Sequence, residues 1–187
     1  HGRRAVMRLW LVRHAAPQVP AGTCYGALDV AADEAATQQA ALALAQALPV
    51  GVALHSSPLQ RCARLAAALC ALRADLSFTT DSRLREMDFG AWEGRRWDAL
   101  APAELQAWTD DFAHHRPGGG ESVQGFMARV ALAWDEAAAH GADRVWITHA
   151  GVIRATALLH TGKVPVTQAA QWPTAACGFG QWHVIER

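Results

Sequence analysis

The sequence predicts an α/β fold: a three-layer α/β/α sandwich with a mostly parallel central sheet. Short apolar runs alternate with longer helix-forming segments along the chain, which is the pattern of a parallel sheet covered by helices. Three of the apolar runs end in polar residues. Because ligands of open α/β sheets bind at the carboxyl ends of the strands, those polar residues are candidates for a functional site.

The clearest predicted strand lies at the start of the chain. The strand is predicted at residues 7–12, where the apolar run 9–12 ends at Arg13 and His14, as expected of a buried strand that carries a charged pair at its end. Residues 1–6 precede the first methionine, and we expect them to be a tail outside the fold. The predicted single domain therefore spans residues 7–187, a length sufficient for one sizeable core.

The other elements are predicted from hydrophobic periodicity and from the Gly, Pro and Ser residues at their ends. In chain order they are helix 33–48, strand 51–55, helix 57–72, strand 76–80, helix 122–140, strand 144–148, helix 150–161 and strand 178–185. Ser57 and Pro58 predict the N-cap and first residue of the second helix. We expect the last strand to lie at a sheet edge, and residues 93–120 to form a lid-like excursion within the domain.

Composition argues against several classes of partner. Lys and Arg together number 17, as do Asp and Glu, so no overall charge attracts the chain to nucleic acid or to a lipid surface. No apolar run approaches the roughly 18 residues that a membrane span requires. The four cysteines form no Cys-x-x-Cys pair, which favours a reduced, cytoplasmic protein. The adjacent pair His114 and His115 lacks the spacing of metal ligands, so no metal site is predicted.

Polar side chains from three distant segments are expected to meet at one edge of the sheet. Arg13 and His14 follow the first strand. Arg61 falls in the first turn of the helix after the second strand, and His149 follows a later strand. Each residue alone has an ordinary structural explanation, such as a buried framework histidine. Together, with the N–H groups of two helix N-termini, they predict a phosphate site.

The combination of motifs resembles the histidine phosphatase superfamily, branch 1, also called phosphoglycerate-mutase-like. The matching segments are Arg13-His14-Ala15, Ser57-Pro58-Leu59-Gln60-Arg61, Glu86-Met87-Asp88-Phe89-Gly90 and His149-Ala150. This resemblance covers the chain from residue 7 to the last strand, and it implies the same sandwich fold. It also implies a phosphomonoester hydrolase that uses neither a metal nor another cofactor.

The resemblance assigns a role to each member of the predicted site. His14 is implied to be the nucleophile that forms a phosphohistidine, which suits a group whose unperturbed pKa is about 6.5. Arg13, Arg61 and His149 are implied to bind the phosphate and stabilise its charge. Glu86 is implied to donate a proton to the leaving group and then to accept one from water.

Within the superfamily, the sequence is similar to the α-ribazole phosphatases of cobalamin biosynthesis. The segments that carry this likeness are residues 7–14, 24–30, 86–93 and 117–122. It implies α-ribazole 5′-phosphate as the substrate, with Tyr25, Gly26 and Trp92 as candidate substrate-binding residues. A broad-specificity sugar-phosphate phosphatase, a phosphoglycerate mutase and a non-catalytic phospho-ligand-binding module are the alternatives. The chain is expected to be a monomer or a homodimer.

Two departures from the family pattern lie beside the predicted site. The glycine that follows each histidine in the family is replaced by Ala15 and Ala150. Because alanine adopts a positive φ only at a cost, both residues are expected to have ordinary backbone conformations. Ala16 and Pro17 stand where many members have Glu-Thr, so one phosphate contact of the family is expected to be missing.

Overall fold

In the computed structural model, which describes residues 6–187, five strands form one sheet. The strands are β1 (Arg8–Arg13), β2 (Ala53–Ser56), β3 (Phe78–Thr80), β4 (Arg144–Thr148) and β5 (Trp182–Glu186). Their order across the sheet is β3-β2-β4-β1-β5. The first four run parallel, and β5 pairs antiparallel with β1 at the edge. The predicted mostly parallel sheet and the edge position of the last strand are confirmed.

Five α-helices accompany the sheet within the described residues. They are α1 (Glu34–Ala47), α2 (Gln60–Leu72), α3 (Pro102–Asp110), α4 (Val123–His140) and α5 (Ala150–His160). Asp33 caps α1 by accepting the N–H of Ala36, and Ser122 caps α4 by accepting that of Gly125. The predicted tail falls outside the described residues, apart from residue 6.

Alternation along the buried strands produces the three layers. Leu9 and Leu11 of β1 face a core built with α4 and α5, whereas Val12 faces a second core built with α1 and α2. In β4, Trp146 faces the first core and Ile147 the second. Both faces of these strands are apolar because helices cover the sheet on both sides.

β2 and β3 each begin two residues later than predicted, and two further boundary errors have a local cause. The second helix begins at Gln60 with Leu59 as its N-cap, because the hydroxyl of Ser57 contacts a histidine instead of capping the helix. The last strand begins at Trp182, four residues later than predicted, because residues 178–181 form a turn. The N–H of Gly180 in that turn lies within hydrogen-bonding distance of the carbonyl oxygens of two β1-end residues.

The excursion at residues 93–120 contains two short 3-10 turns and α3. Pro102 occupies the first turn of α3, where its missing N–H costs no hydrogen bond. The side chains of Trp97 and Trp108 pack against the buried Trp92, and this aromatic cluster fixes the excursion over the carboxyl end of the sheet. Ala15 and Ala150 have ordinary backbone conformations, since no non-glycine residue among residues 6–187 has a positive φ. That prediction is confirmed.

Candidate active site

A cavity of about 580 Å³ opens at the carboxyl ends of β1 and β4. The charged groups in its wall are Arg13, Glu86 and Arg154, and the imidazole of His14 lies beside them. Aromatic rings form most of the opposite wall: Tyr25, Phe89, Trp97, Trp108, Phe112, Phe126 and Trp172. The cavity therefore combines a small polar end with a large aromatic end, the usual composition of a small-molecule site.

The hydrogen bonding of His14 determines which of its nitrogens is reactive. Its Nδ1 lies 2.7 Å from the carbonyl oxygen of Ala15. Because a carbonyl oxygen can only accept, Nδ1 carries the proton and Nε2 keeps its lone pair. Burial lowers the pKa of His14 to about 3, and the positive charges of Arg61 and Arg13 act in the same direction. The ring is therefore neutral at cellular pH, with Nε2 free to act as a nucleophile.

A second buried histidine lies next to the first. The ring centroids of His14 and His149 are 5.3 Å apart, with the planes inclined at 60°. Nε2 of His149 is 2.8 Å from Oγ of Ser57, and the Sγ of Cys62 packs 3.5 Å from the same nitrogen. Burial, followed by the nearby charge of Arg61, holds the pKa of His149 well below its usual value. The structure thus brings the two predicted histidines together.

The two predicted arginines are held differently. Arg13 lines the cavity, donates to the carbonyl oxygen of Cys177 at 3.0 Å, and has the ring of Phe179 4.0 Å from its guanidinium. Burial lowers the pKa of Arg13, although the group remains a cation. Arg61 is fully buried and does not line the cavity. Its Nη atoms donate to the carbonyl oxygens of Leu28 and Gly26 at 2.7 and 2.6 Å.

Glu86 lies in the cavity wall, where backbone groups fix its carboxyl group. Oε2 accepts the N–H of Gly151 at 3.0 Å, and Oε1 accepts that of Met87 at 3.1 Å. A Cβ on Gly151 would lie only 2.1 Å from Oε1 of Glu86. The carboxyl group can therefore occupy this place only because residue 151 is a glycine. The sequence carries one trace of this contact. A glycine stands two residues after His149, in the first turn of a predicted helix, where glycine is unfavourable.

Of the three predicted substrate-binding residues, only Tyr25 lines the cavity. The prediction for Gly26 needs correction, because the residue is buried and a Cβ there would lie 1.9 Å from the carbonyl oxygen of Met87. Its carbonyl oxygen instead holds Arg61. The prediction for Trp92 needs correction as well, because only 2% of its surface is exposed and its ring supports the excursion from below.

Sequence reasoning missed the residue that fixes the loop carrying Tyr25. The carboxylate of Glu93 accepts the N–H groups of Gly26 and Ala27 at 2.9 Å, and that of Phe89 at 3.0 Å. It thereby joins this loop to the segment that carries Glu86. The sequence assigns Glu93 no role of its own, because its partners in the Tyr25 loop are backbone groups 66 and 67 residues earlier.

Within residues 6–187, no three side chains of His, Cys, Asp or Glu come together in a way that could hold a metal ion. None of the helices in that range has both the length and the apolar character needed to cross a membrane.

A buried histidine with a free Nε2, next to arginines and a carboxyl group held by backbone N–H groups, has the chemistry that phosphate binding and transfer require. The sequence profile of the histidine phosphatase superfamily (branch 1) matches residues 9–184, and the chain belongs to this family. It is accordingly a phosphatase, as the resemblance implies.

Relatives and solved structures agree with this assignment. The chain is 34% identical to glucosyl-3-phosphoglycerate phosphatase of Mycolicibacterium vanbaalenii, over 95% of this chain and 83% of the relative. It is 30% identical to adenosylcobalamin/alpha-ribazole phosphatase of Escherichia coli, over 89% and 83%. The native structure of mycobacterial glucosyl-3-phosphoglycerate phosphatase superposes with a TM-score of 0.77 at 28% identity, over 97% of this chain and 90% of that one.

Proposed function

We propose that this phosphatase hydrolyses a small phosphomonoester through a phosphohistidine on His14. The observation that carries the proposal is the bond from Nδ1 of His14 to the carbonyl oxygen of Ala15, which leaves the Nε2 lone pair available. Nε2 attacks phosphorus, and the ester P–O bond breaks with its electron pair on the leaving oxygen. Protonated Glu86 supplies a proton to that oxygen, so the alcohol leaves neutral.

The second half of the reaction restores the enzyme. Water attacks the phosphorus of the phosphohistidine, the carboxylate of Glu86 takes a proton from that water, and the P–N bond breaks. Inorganic phosphate leaves, and His14 is again a neutral imidazole. In both halves, Arg13 and a ring N–H of His149 donate to the phosphoryl oxygens, and the buried positive charge of Arg61 stabilises them at longer range. Removal of one such donor typically raises a barrier by about 2.7–4 kcal/mol.

For the substrate we propose α-ribazole 5′-phosphate. Support comes from the aromatic wall, because a planar benzimidazole can pack against rings such as Trp97 and Trp108. The sequence likeness to α-ribazole phosphatases and the relative from Escherichia coli point the same way. The four cysteines are unpaired, which fits the reduced cytoplasm that we propose as the location.

Glucosyl-3-phosphoglycerate is the second candidate, favoured by the mycobacterial relatives. It carries a carboxylate beside its phosphate, and Arg154 in the cavity wall could bind one. Among the described residues, no carboxylate lies within salt-bridge distance of Arg154, whose Nη2 donates to the carbonyl oxygen of Thr174 at 3.4 Å.

A panel of phosphomonoesters separates these candidates. kcat/KM is measured for α-ribazole 5′-phosphate, glucosyl-3-phosphoglycerate, simple sugar phosphates and 3-phosphoglycerate, the last also in a mutase assay. The proposal expects the largest value for α-ribazole 5′-phosphate, with release of inorganic phosphate. A larger value for glucosyl-3-phosphoglycerate would overturn the substrate. Transfer of the phosphoryl group back to the dephosphorylated product would indicate a mutase. If none of the esters were hydrolysed, the chain would be a phospho-ligand-binding module.

A further inference from the structure

We infer that Arg129 is a positioning residue for Glu86, acting through the backbone that carries it. The inference rests on the proposed role of Glu86 as the proton donor. Arg129 does not line the cavity and touches no reacting atom. Its guanidinium, on α4, instead lies against the irregular segment that leads into Glu86.

All five N–H donors of this guanidinium are used. Nη1 donates to the carbonyl oxygens of Arg83 and Arg85 at 2.8 and 2.7 Å, and Nη2 donates to that of Glu86 at 3.0 Å. The remaining two donors bind the carboxylate of Glu121, from Nε at 2.8 Å and from Nη2 at 3.0 Å. An arginine side chain has five donors in a fixed planar fork, so this one is saturated.

The surroundings hold the guanidinium in place. Only 17% of the Arg129 side chain and 22% of the Glu121 side chain are exposed. The ring of Phe126 lies 4.7 Å from the guanidinium carbon and packs in the core beneath α4. Because the guanidinium of Arg129 is already held in place, it loses little side-chain entropy when it donates to the backbone carbonyl oxygens. It therefore transmits the position of α4 to the three carbonyl oxygens.

Glu86 is thus located from two sides. The backbone on its N-terminal side and its own carbonyl oxygen are fixed by Arg129, and its carboxyl group is fixed by the N–H groups of Gly151 and Met87. The next anchor before Glu86 is the 3-10 turn Ser82–Leu84, where the Leu84 carbonyl oxygen accepts the hydroxyl of Thr148 at 2.7 Å, so without Arg129 the backbone of residues 85 and 86 loses its nearest support. The carboxyl group would then be misplaced relative to the leaving oxygen, and errors of about 1 Å can cost on the order of 100-fold in rate.

A misplaced proton donor has a specific kinetic signature. Phenyl phosphate and p-nitrophenyl phosphate have nearly the same shape, but p-nitrophenolate leaves readily without a proton and phenolate does not. The value of kcat/KM reports steps up to the transfer onto His14, so later hydrolysis does not affect it. Loss of Arg129 should therefore lower kcat/KM for phenyl phosphate much more than for p-nitrophenyl phosphate. A general loss of folded protein would lower both equally.

The experiment measures the ratio of kcat/KM for phenyl phosphate to kcat/KM for p-nitrophenyl phosphate. It uses the full chain as wild type, Arg129→Met, Arg129→Lys and Glu86→Gln. We expect Arg129→Met to lower kcat/KM for phenyl phosphate by at least about tenfold, with the p-nitrophenyl ester within about threefold. Lysine cannot present a fork, so Arg129→Lys should resemble Arg129→Met. In a Glu86→Gln background, Arg129→Lys should leave the ratio unchanged. Should Arg129→Met fail to fold, Arg129→Lys and Glu121→Gln provide the same comparison.

Arg83→Met is the matched control. The Arg83 side chain also joins this segment to α4, through ion pairs with Asp81 and Glu136, but it makes no contact with Glu86. In Arg83→Met, the ratio of the two kcat/KM values should equal that of the wild type, even if this variant melts at a lower temperature. An unchanged ratio in both Arg129 variants, or the same shift in Arg83→Met, would overturn the inference. If Glu86→Gln itself left the ratio unchanged, the proposed role of Glu86 would fail instead.

Discussion

The substitution Gly151→Ala tests the position of Glu86 without removing any functional group. The new Cβ would lie 2.1 Å from Oε1 of Glu86, whereas ordinary van der Waals contact begins near 3.4 Å. The backbone of residue 151 is helical and has no positive φ, so alanine fits the local conformation. The strain is therefore relieved by movement of the carboxyl group, which is the far end of a flexible side chain.

The structure gives the size of both effects. The carboxyl oxygen must move by more than about 1 Å, and a misplacement of that size can cost on the order of 100-fold in rate. Replacement of a helical glycine by alanine typically adds about 0.4–1 kcal/mol of stability. In a chain of this length, that corresponds to a rise in Tm of about 1–4 °C. Gly151→Ala should therefore lose activity while it keeps or gains stability.

The assay pairs kcat/KM for phenyl phosphate with a thermal melt. Gly125→Ala is the control, because Gly125 lies in the first turn of α4, where the atoms within 4 Å of an added Cβ belong to Ser122 and Glu121 and none belong to Glu86. It should change Tm similarly and leave kcat/KM near the wild-type value. Wild-type activity in Gly151→Ala would refute the reasoning. A large fall in Tm would show that the strain is not relieved through Glu86.

Three further predictions concern the histidines and the aromatic wall. Because the pKa of His14 falls from 6.5 to about 3 on folding, only the unfolded chain takes up this proton as the pH drops below 6.5. The free energy of unfolding should therefore fall between pH 7 and pH 5, as measured by urea titration. In His14→Asn this fall should be smaller than in the wild type by about 2 kcal/mol. The same fall in both proteins would contradict the lowered pKa of His14. Ser57→Ala removes the 2.8 Å contact to His149 and should lower kcat/KM by up to about tenfold; a wild-type kcat/KM would count against that contact. Trp108→Ala should raise KM for α-ribazole 5′-phosphate and leave that for glycerol phosphate unchanged; equal effects on both would speak against base packing.

The fold could be predicted where the chain carries strong local signals. The apolar runs of β1 and β4 are typical of buried strands. Ser122 and Gly141 mark the two ends of α4, the first as its N-cap and the second as a left-handed terminal residue. The prediction failed where a side chain had a distant partner. Ser57 has the composition of an N-cap, yet its hydroxyl lies against His149, which is 92 residues away.

The site could be predicted in its membership but not in its arrangement. The predicted strand ends pointed to His14 and His149, and the resemblance to the family pointed to Glu86. Neither indicated that Arg61 is enclosed by backbone carbonyl oxygens, or that Trp92 lies beneath the wall and not in it. Those facts depend on tertiary packing, in which backbone groups from separate loops meet, and backbone groups leave no mark on the sequence.

The central claim is that His14 carries the phosphoryl group during turnover, and rapid-quench trapping tests it most directly. The enzyme is mixed with a phosphate-labelled substrate, stopped in alkali within milliseconds, and digested so that the labelled peptide can be identified. We expect an acid-labile, alkali-stable label on Nε2 of His14 in the wild type and no label in His14→Ala. A label that persists in His14→Ala, or steady turnover by that variant, would contradict it.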